Sequence, residues 1–587
     1  MKRLAYSIIC LATVGVIAWS CSKSFLDKKP VGSLDANTLA NKKGVEALLI
    51  GAYAVLDGFI NGGGIFLGGW QSSGTNWVYG AVVGGDAHKG SDAGDQPDIN
   101  PIETFTSSST NGYYNLKWRI CYEGITRANS VLKVMKNATD ISDADQTRIR
   151  AEALFLRGHY HFEAVKMWNK VPYINEDVTD FNVPNDIDIW DSINRDLKFA
   201  YDNLPGTMAN KGRVNKYAAG ALLGKAYLYQ KKFAEALTIL RDVHDNGTTA
   251  TGVKYALVTK YADNFNAETK NSTESVFAVQ YSVNDGAPGG DNGGWGEVLN
   301  FPYTGGPGTC CGFFQPSQDL LNAFQVDAAT GLPDLENYNM HEVKNDQGLL
   351  SSDPFTIGSE SMDARVDWTI GRRGIPYLDW GPHPGFNWIR DQGYSGPYAP
   401  KKNTYYKSQE KILTDKAFWT SGVTANNYTL IRFADVKLML AEAEVEAGSL
   451  EKARVLINDV RARAANPAGF VQGSAATYKV GLYTTPWADK AFATKAVRYE
   501  RRVELGMEGH RFFDLVRWGI AESTLDVYLK YVSGRPVNGW PVPNNKRNYL
   551  NSADFTAGKN EYFPIPQDQI DLSSTGGVAR LIQNPGY

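Results

Sequence analysis

Glu500, Glu504 and Glu508 recur at four-residue spacing between Arg498 and Arg517, with Arg501, Arg502 and His510 among them. Residues four apart share one face of a helix. Carboxylates beside cations can serve acid–base chemistry or hold an ion-pair network. The reading adopted is a network that fixes this helix against its neighbours, with His510 part of it. The other candidates for catalysis fail on spacing. His341-Glu342 lacks the second histidine of a zinc-protease helix. Gly220 to Gly224-Lys225 is one residue short of a phosphate loop and lacks its closing Ser or Thr. Tyr394-Ser395-Gly396 has no residue between Ser and Gly, so it is no nucleophile elbow. Glycosidase carboxylates are defined by a distance in space, and among 63 acids chance pairs are unavoidable. The sequence therefore predicts no catalytic residue, no metal ligand set and no cofactor.

Aromatic residues in glycine-rich stretches point to binding instead. Sugar rings offer flat C–H faces that stack on Trp or Tyr, and their hydroxyls need fixed polar partners. Trp118, Trp168, Trp190 and Trp518 sit in helical patterns and are assigned to the core. Trp70, Trp77, Trp295, Trp380 and Trp388 sit in Gly-rich segments, where core packing is the alternative for each. Asp86, His88, Lys89, Asp92 and Asp95 add polar groups between Phe59 and Gly112. This acid cluster reads either as a solvated loop or as an adventitious calcium site, without an EF-hand pattern. The candidate ligand-binding residues are Trp70, Trp77, Asp86, His88, Lys89, Trp295, Tyr303 and Trp380. The adjacent Cys310-Cys311 reads either as a strained vicinal bridge or as two buried thiols.

Helices must position these groups. Val45–Leu56 has an apolar face at helical spacing, and Tyr113–Met135 has the same period. Arg148–Trp168 with Trp190–Leu204, Ala218–Asn246, and Phe433–Ala464 read as hairpins, and the first two helices as a fourth. Leu223-Gly224 followed by Tyr227 fits a tetratricopeptide-like element, and Ala219, Gly224 and Ala226 let paired helices approach. Residues 59–112 read as a long loop that cannot be regular helix. Ser275–Tyr281 alternates like a strand. Ala496–Trp518 reads as one charged helix. The expected class is mainly α, made of tetratricopeptide-like hairpins with long irregular insertions and minor β. Its parts are an N-terminal helical region over 43–249, an insertion-rich binding region over 250–425 and a C-terminal region over 426–587.

Lys2-Arg3 and the apolar run Leu4–Ile17 form an export signal over 1–20, not a stable anchor helix. Ala18-Trp19-Ser20-Cys21 resembles a lipobox, with an ordinary secretory cleavage nearby as its alternative. Cys21 is the expected lipidation site, and residues 21–42 the lipid anchor and tether. Several acyl chains would hold such a protein on a membrane. The whole chain carries a formal charge of −3, and cleavage would remove two cations, Lys2 and Arg3. Such a charge gives no basic field for nucleic acid.

Further blocks resemble the SusD/RagB family of outer-membrane nutrient-binding lipoproteins. They are Ser24-Phe25-Leu26-Asp27, Arg150-Ala151-Glu152-Ala153 through Arg157, Arg213-Val214-Asn215-Lys216-Tyr217, and Arg432-Phe433-Ala434-Asp435-Val436. They continue with Glu500-Arg501-Arg502-Val503-Glu504-Leu505 through Leu515, then Phe563-Pro564-Ile565-Pro566 and Gln583-Asn584-Pro585-Gly586-Tyr587. The resemblance implies a tetratricopeptide-like scaffold facing a SusC-like TonB-dependent transporter. It also implies a ligand site built from the first loop and the insertion that begins near residue 250. The function it implies is surface capture of a glycan, with a peptide cargo as one alternative. A surface glycoside hydrolase is the other, disfavoured by the absent catalytic motifs.

Overall fold

The computed structural model describes residues 36–58, 69–180, 182–415, 419–537 and 539–587. Cys21, the export signal and most of the expected tether lie outside the described residues.

The helical periods become a continuous array. It begins with α1 (Lys42–Ala54), α2 (Gly112–Met135), α3 (Asp143–Trp168), α4 (Trp190–Asn203), α5 (Lys216–Tyr229) and α6 (Phe233–Asn246). It continues with α7 (Phe433–Ala447), α8 (Leu450–Ala464), α9 (Lys490–Leu505), α10 (Arg511–Arg517) and α11 (Ala521–Ser533). Each of α1 to α8 packs on the next, so the four expected hairpins stack side by side, and α9 packs on α7 and α8. The array buries one core that runs from Val45 to Leu581, as stacked repeats must, since no single hairpin can bury its apolar face alone.

Local chemistry sets the helix ends. Asn215, from the Arg-Val-Asn block, accepts from the Ala218 amide at 2.9 Å and caps α5. Ser142 caps α3 and Ser449 caps α8 in the same way. These side chains satisfy amides that a helix start leaves orphaned. Within the α5–α6 hairpin, a Cβ on Gly224 would stand 2.6 Å from the Leu240 side chain. The glycine is thus what permits that approach.

Two sequence expectations are corrected. Ala496–Trp518 is not one helix: α9 ends at Leu505 and α10 starts at Arg511, with Met507 and Gly509 at φ of 67° and 74° between them. The break brings the Gly509 backbone against Gly80, where a side chain on either residue would collide. The stretch 59–112 is also more ordered than a loop. Its described part contains a π-helical turn, Trp77–Val82, a strand β1 (Ala87–Gly90) and a short helix, Ile99–Glu103.

The minor β structure ties the insertion to the scaffold. The expected strand is β2 (Ser275–Val279), and the insertion adds β3 (Phe313–Pro316). Strand β4 (Tyr428–Arg432), which leads into α7, pairs antiparallel with β2. Strands β1 and β3 also pair antiparallel, His88 opposite Gln315. The first-loop segment and the insertion are therefore joined by backbone. The insertion has a second small core of Tyr377, Trp388, Ile389 and Ala399.

The C-terminal blocks clasp the end of α3. Phe563 N donates to Met167 O, and Trp168 Nε1 donates to Pro564 O at 3.0 Å. Asn584 Nδ2 reaches both Trp168 O and Phe563 O. Among the described residues no helix is long and apolar enough to cross a membrane.

Candidate ligand-binding surface

The candidate residues divide by burial. Trp77 is 1% exposed, wedged beside Phe313 and Phe314 at ring separations of 6.2 and 5.5 Å. Asp86 is buried beside Arg502, and burial raises its pKa above the usual carboxylate range. His88 is buried against Glu103 and Tyr549, and burial pulls its pKa below the usual imidazole value. Lys89 is buried too, its Nζ donating to the carbonyls of Asp92 and Asp95. Burial pushes its pKa down to about 8. Trp70 is 7% exposed and donates to Gln96. These five offer almost no surface to a ligand.

Trp295, Tyr303 and Trp380 are half-buried. Trp295 opens a 3₁₀ turn, Trp295–Glu297, and its indole N–H donates to Gly290 O at 3.0 Å. Its ring lies 6.4 Å from that of Trp419, at 57°. Thr420, next to Trp419, donates to Gly308 O and so ties this pair to the loop that carries Tyr303. The Arg390 guanidinium covers the Tyr303 ring at 5.2 Å. Arg390 is itself held by Asp92 at 2.8 Å and Asp95 at 2.5 Å. Asp92 and Asp95 of the acid cluster are thus the counter-charge of Arg390, while Asp86 faces Arg502. Among the described residues no group of three or more ligands could hold a metal. Trp380 donates to Tyr405 O and has the Lys407 ammonium 5.8 Å over its ring.

The result is a surface of partly exposed rings with an arginine and two carboxylates fixed beside them. Rings stack on apolar faces, and the fixed charges can exchange hydrogen bonds with hydroxyls. Trp419 and Arg390 did not emerge from the sequence as site residues. Arg390 carries no local motif, because its carboxylate partners lie 295 or more residues away. Cys310 and Cys311, in the same loop, are placed as a vicinal bridge. Cys121 is buried and free.

Glu297 lies beneath this surface. Its Oε2 accepts from Asn300 at 3.0 Å, and its Oε1 has no hydrogen-bond partner among the described residues. Burial pushes its pKa up to about 7, from 4.5. A raised folded-state pKa means that the folded chain keeps a proton the unfolded chain releases. Stability from this group therefore falls as pH rises from 4.5 through 7. Glu297→Gln is expected to melt higher than the parent at pH 8 and close to it at pH 4, measured by thermal unfolding at both values.

A helical-repeat scaffold with an aromatic-bearing insertion is the class of protein that this fold and surface define. Residues 273–587 match the family model described as the SusD family, and residues 83–228 match one described as "Starch-binding associating with outer membrane". The chain belongs to the SusD family. It is 24% identical to a SusD-like protein of Bacteroides ovatus over 87% of this chain and 82% of that relative. It is 23% identical to SusD-like protein P2 of Formosa agariphila over 100% and 99%. Among solved structures, a laminarin-binding SusD-like protein aligns with a TM-score of 0.63 at 25% identity, over 93% of this chain and all of that one. Surface glycan-binding protein A from Bacteroides thetaiotaomicron, in complex with laminarihexaose, has the same fold: TM-score 0.62, 19% identity, 93% and 99% covered.

Proposed function

We propose that this protein captures a glycan at the cell surface and passes it to a SusC-like TonB-dependent transporter, without cutting it. Lipid on Cys21 would hold it to the outer membrane while it does so. The observation that carries the reading is the half-buried Trp295–Trp419 pair beside the Tyr303–Arg390–Asp95 group on the insertion. The similarity to a laminarin-binding relative supports it and supplies a probe.

Trp295→Ala is expected to weaken laminarihexaose binding several-fold, since an aromatic contact contributes about 0.5–1.5 kcal/mol beyond its buried area. Isothermal titration of parent and variant measures this, with the oligosaccharide recovered uncut. Copurification with the transporter should be unchanged. A variant that binds the sugar normally but no longer copurifies would place the insertion on the transporter side and sink the reading.

A further inference from the structure

A second recess lies between α9, α10 and α11, away from the insertion rings. It is a cleft of about 460 Å³ walled by Arg498, Arg502 and Arg511, with Trp518, Tyr338 and Trp540 around them. A smaller recess of about 230 Å³ continues past Arg498 and Trp518.

The three arginines are not equivalent. Arg502 is fully engaged, by Asp319, by Tyr338 Oη at 2.8 Å and by Asp86 at 3.4 Å. Arg511 has no ion pair or hydrogen bond among the described residues, and its Nε is buried without a partner. Arg498 likewise has neither; its guanidinium rests 4.9 Å over the Trp518 ring. Burial and the neighbouring Arg502 pull the Arg511 pKa down to about 10, so it still carries its charge at neutral pH. Tyr528, 6% exposed, also lines the cleft, and its Oη has no hydrogen-bond partner among the described residues. The carboxylates on the walls are already taken: Asp319 by Arg502, and Glu336 by Lys495.

Partly buried guanidiniums without counter-charge are costly. Many other buried arginines, among them Arg365, Arg432, Arg461 and Arg501, are matched by carboxylates, while Arg547 is held by carbonyl and amide oxygens. A cleft that leaves two without an ion pair, Asp86 acting on Arg511 only at longer range, with a donor-capable phenol and aromatic walls, is complementary to an oxyanion carried on a small ring. Guanidinium forks bind oxyanions through charge-assisted pairs of hydrogen bonds. The volume falls within the range of small-molecule sites.

We propose that this cleft is a second binding site, specific for a sugar bearing a carboxylate or sulfate, with Arg511 and Arg498 on the oxyanion and the Trp540 ring against the sugar. The sugar class rests on the glycan reading above; the anion requirement rests on the cleft alone.

The test is titration calorimetry with glucuronic acid, glucose 6-sulfate, glucose and inorganic sulfate, at low and high salt. The two acidic sugars should bind, weakening as salt screens the charges, and glucose should not bind at this cleft. Arg511→Gln and Arg498→Gln should each lower acidic-sugar affinity by about tenfold or more, the size of one charge-assisted hydrogen bond. Laminarihexaose binding and melting temperature should stay at the parent values. Arg498 is half-buried and unpaired, so its variant remains a fair test if Arg511→Gln is unstable. Acidic sugars that bind both variants like the parent, or that do not bind the parent, overturn the proposal. Inorganic sulfate binding as tightly as glucose 6-sulfate overturns the sugar class. Acidic-sugar binding that depends on Arg511, with no laminarihexaose binding, would sustain this site while removing the insertion site above.

Discussion

Glu504→Ala is expected to destabilise the fold by about 3–5 kcal/mol, the usual cost of removing one partner from a buried ion pair. Glu504 is fully buried and receives Arg365 at 2.8 Å, together with Arg432 and Arg463. Arg365 and Arg461 also hold Glu500, and Arg432 and Lys402 hold Glu508. Glu274 and Asp363 complete a cluster of five cations and five carboxylates. Deleting Glu504 leaves that cluster one charge positive with no water to compensate. Denaturant unfolding measures the loss. The control is Glu336→Ala, whose pair with Lys495 is exposed at 59% and 55%; it should change stability by less than about 1 kcal/mol. A Glu504→Ala protein as stable as that control would show that the network contributes nothing to the fold. The same cluster and its neighbours predict acid sensitivity. The arginines hold Glu504 well below the usual carboxylate range, and Arg501 and Arg517 hold Asp514 at about 2 instead of 3.8. A depressed folded-state pKa contributes stability above the unfolded value and loses it as pH falls through the folded one. For Asp514 that window runs from about pH 4 to pH 2.

Trp77→Ala is expected to cost about 3–5 kcal/mol, the range for emptying a buried aromatic site. The ring fills the space beside Phe313 and Phe314, where the first-loop segment meets the insertion strand. Its indole N–H has no hydrogen-bond partner among the described residues, so packing holds it. Melting temperature and oligosaccharide affinity should be measured together. A variant that melts like the parent but binds sugar poorly would return Trp77 to the role of ligand contact. A variant that melts far lower identifies a core residue.

Trp77 also shows where sequence reasoning ran out. Gly74, Gly80, Gly84 and Gly85 surround it and read as an open loop. In the fold Gly80 is small because the Gly509 carbonyl lies against it. A glycine demanded by close backbone approach and a glycine demanded by an open loop leave the same mark in a sequence. The hairpins were legible because helical periodicity is local, and so was the face shared by Glu500 and Glu504; Glu508 joins the same network from beyond the end of α9. The partners of those acids, Arg365, Arg432, Arg461 and Arg463, were not, because they are tens to more than a hundred residues away. Arg390 and its acids in the first loop fall in the same class. The π-helical turn at Trp77–Val82 and the strand partner of Ser275–Val279 were likewise set by tertiary contacts.

The clasp on the end of α3 makes chain length a condition of folding. Trp168 meets Pro564 across 396 residues, so the early hairpins can form during synthesis from local contacts alone, N-terminal parts first. Contacts this distant are closed last and slowly. Until residues 563–584 exist, Tyr79 and Tyr114 lack the Phe563 ring that packs on them, and the last turn of α3 lacks its cover. A prematurely ended chain therefore keeps near-native helices yet displays an aromatic patch that the finished one hides. Proteolytic surveillance could read that patch as a proof of incompleteness.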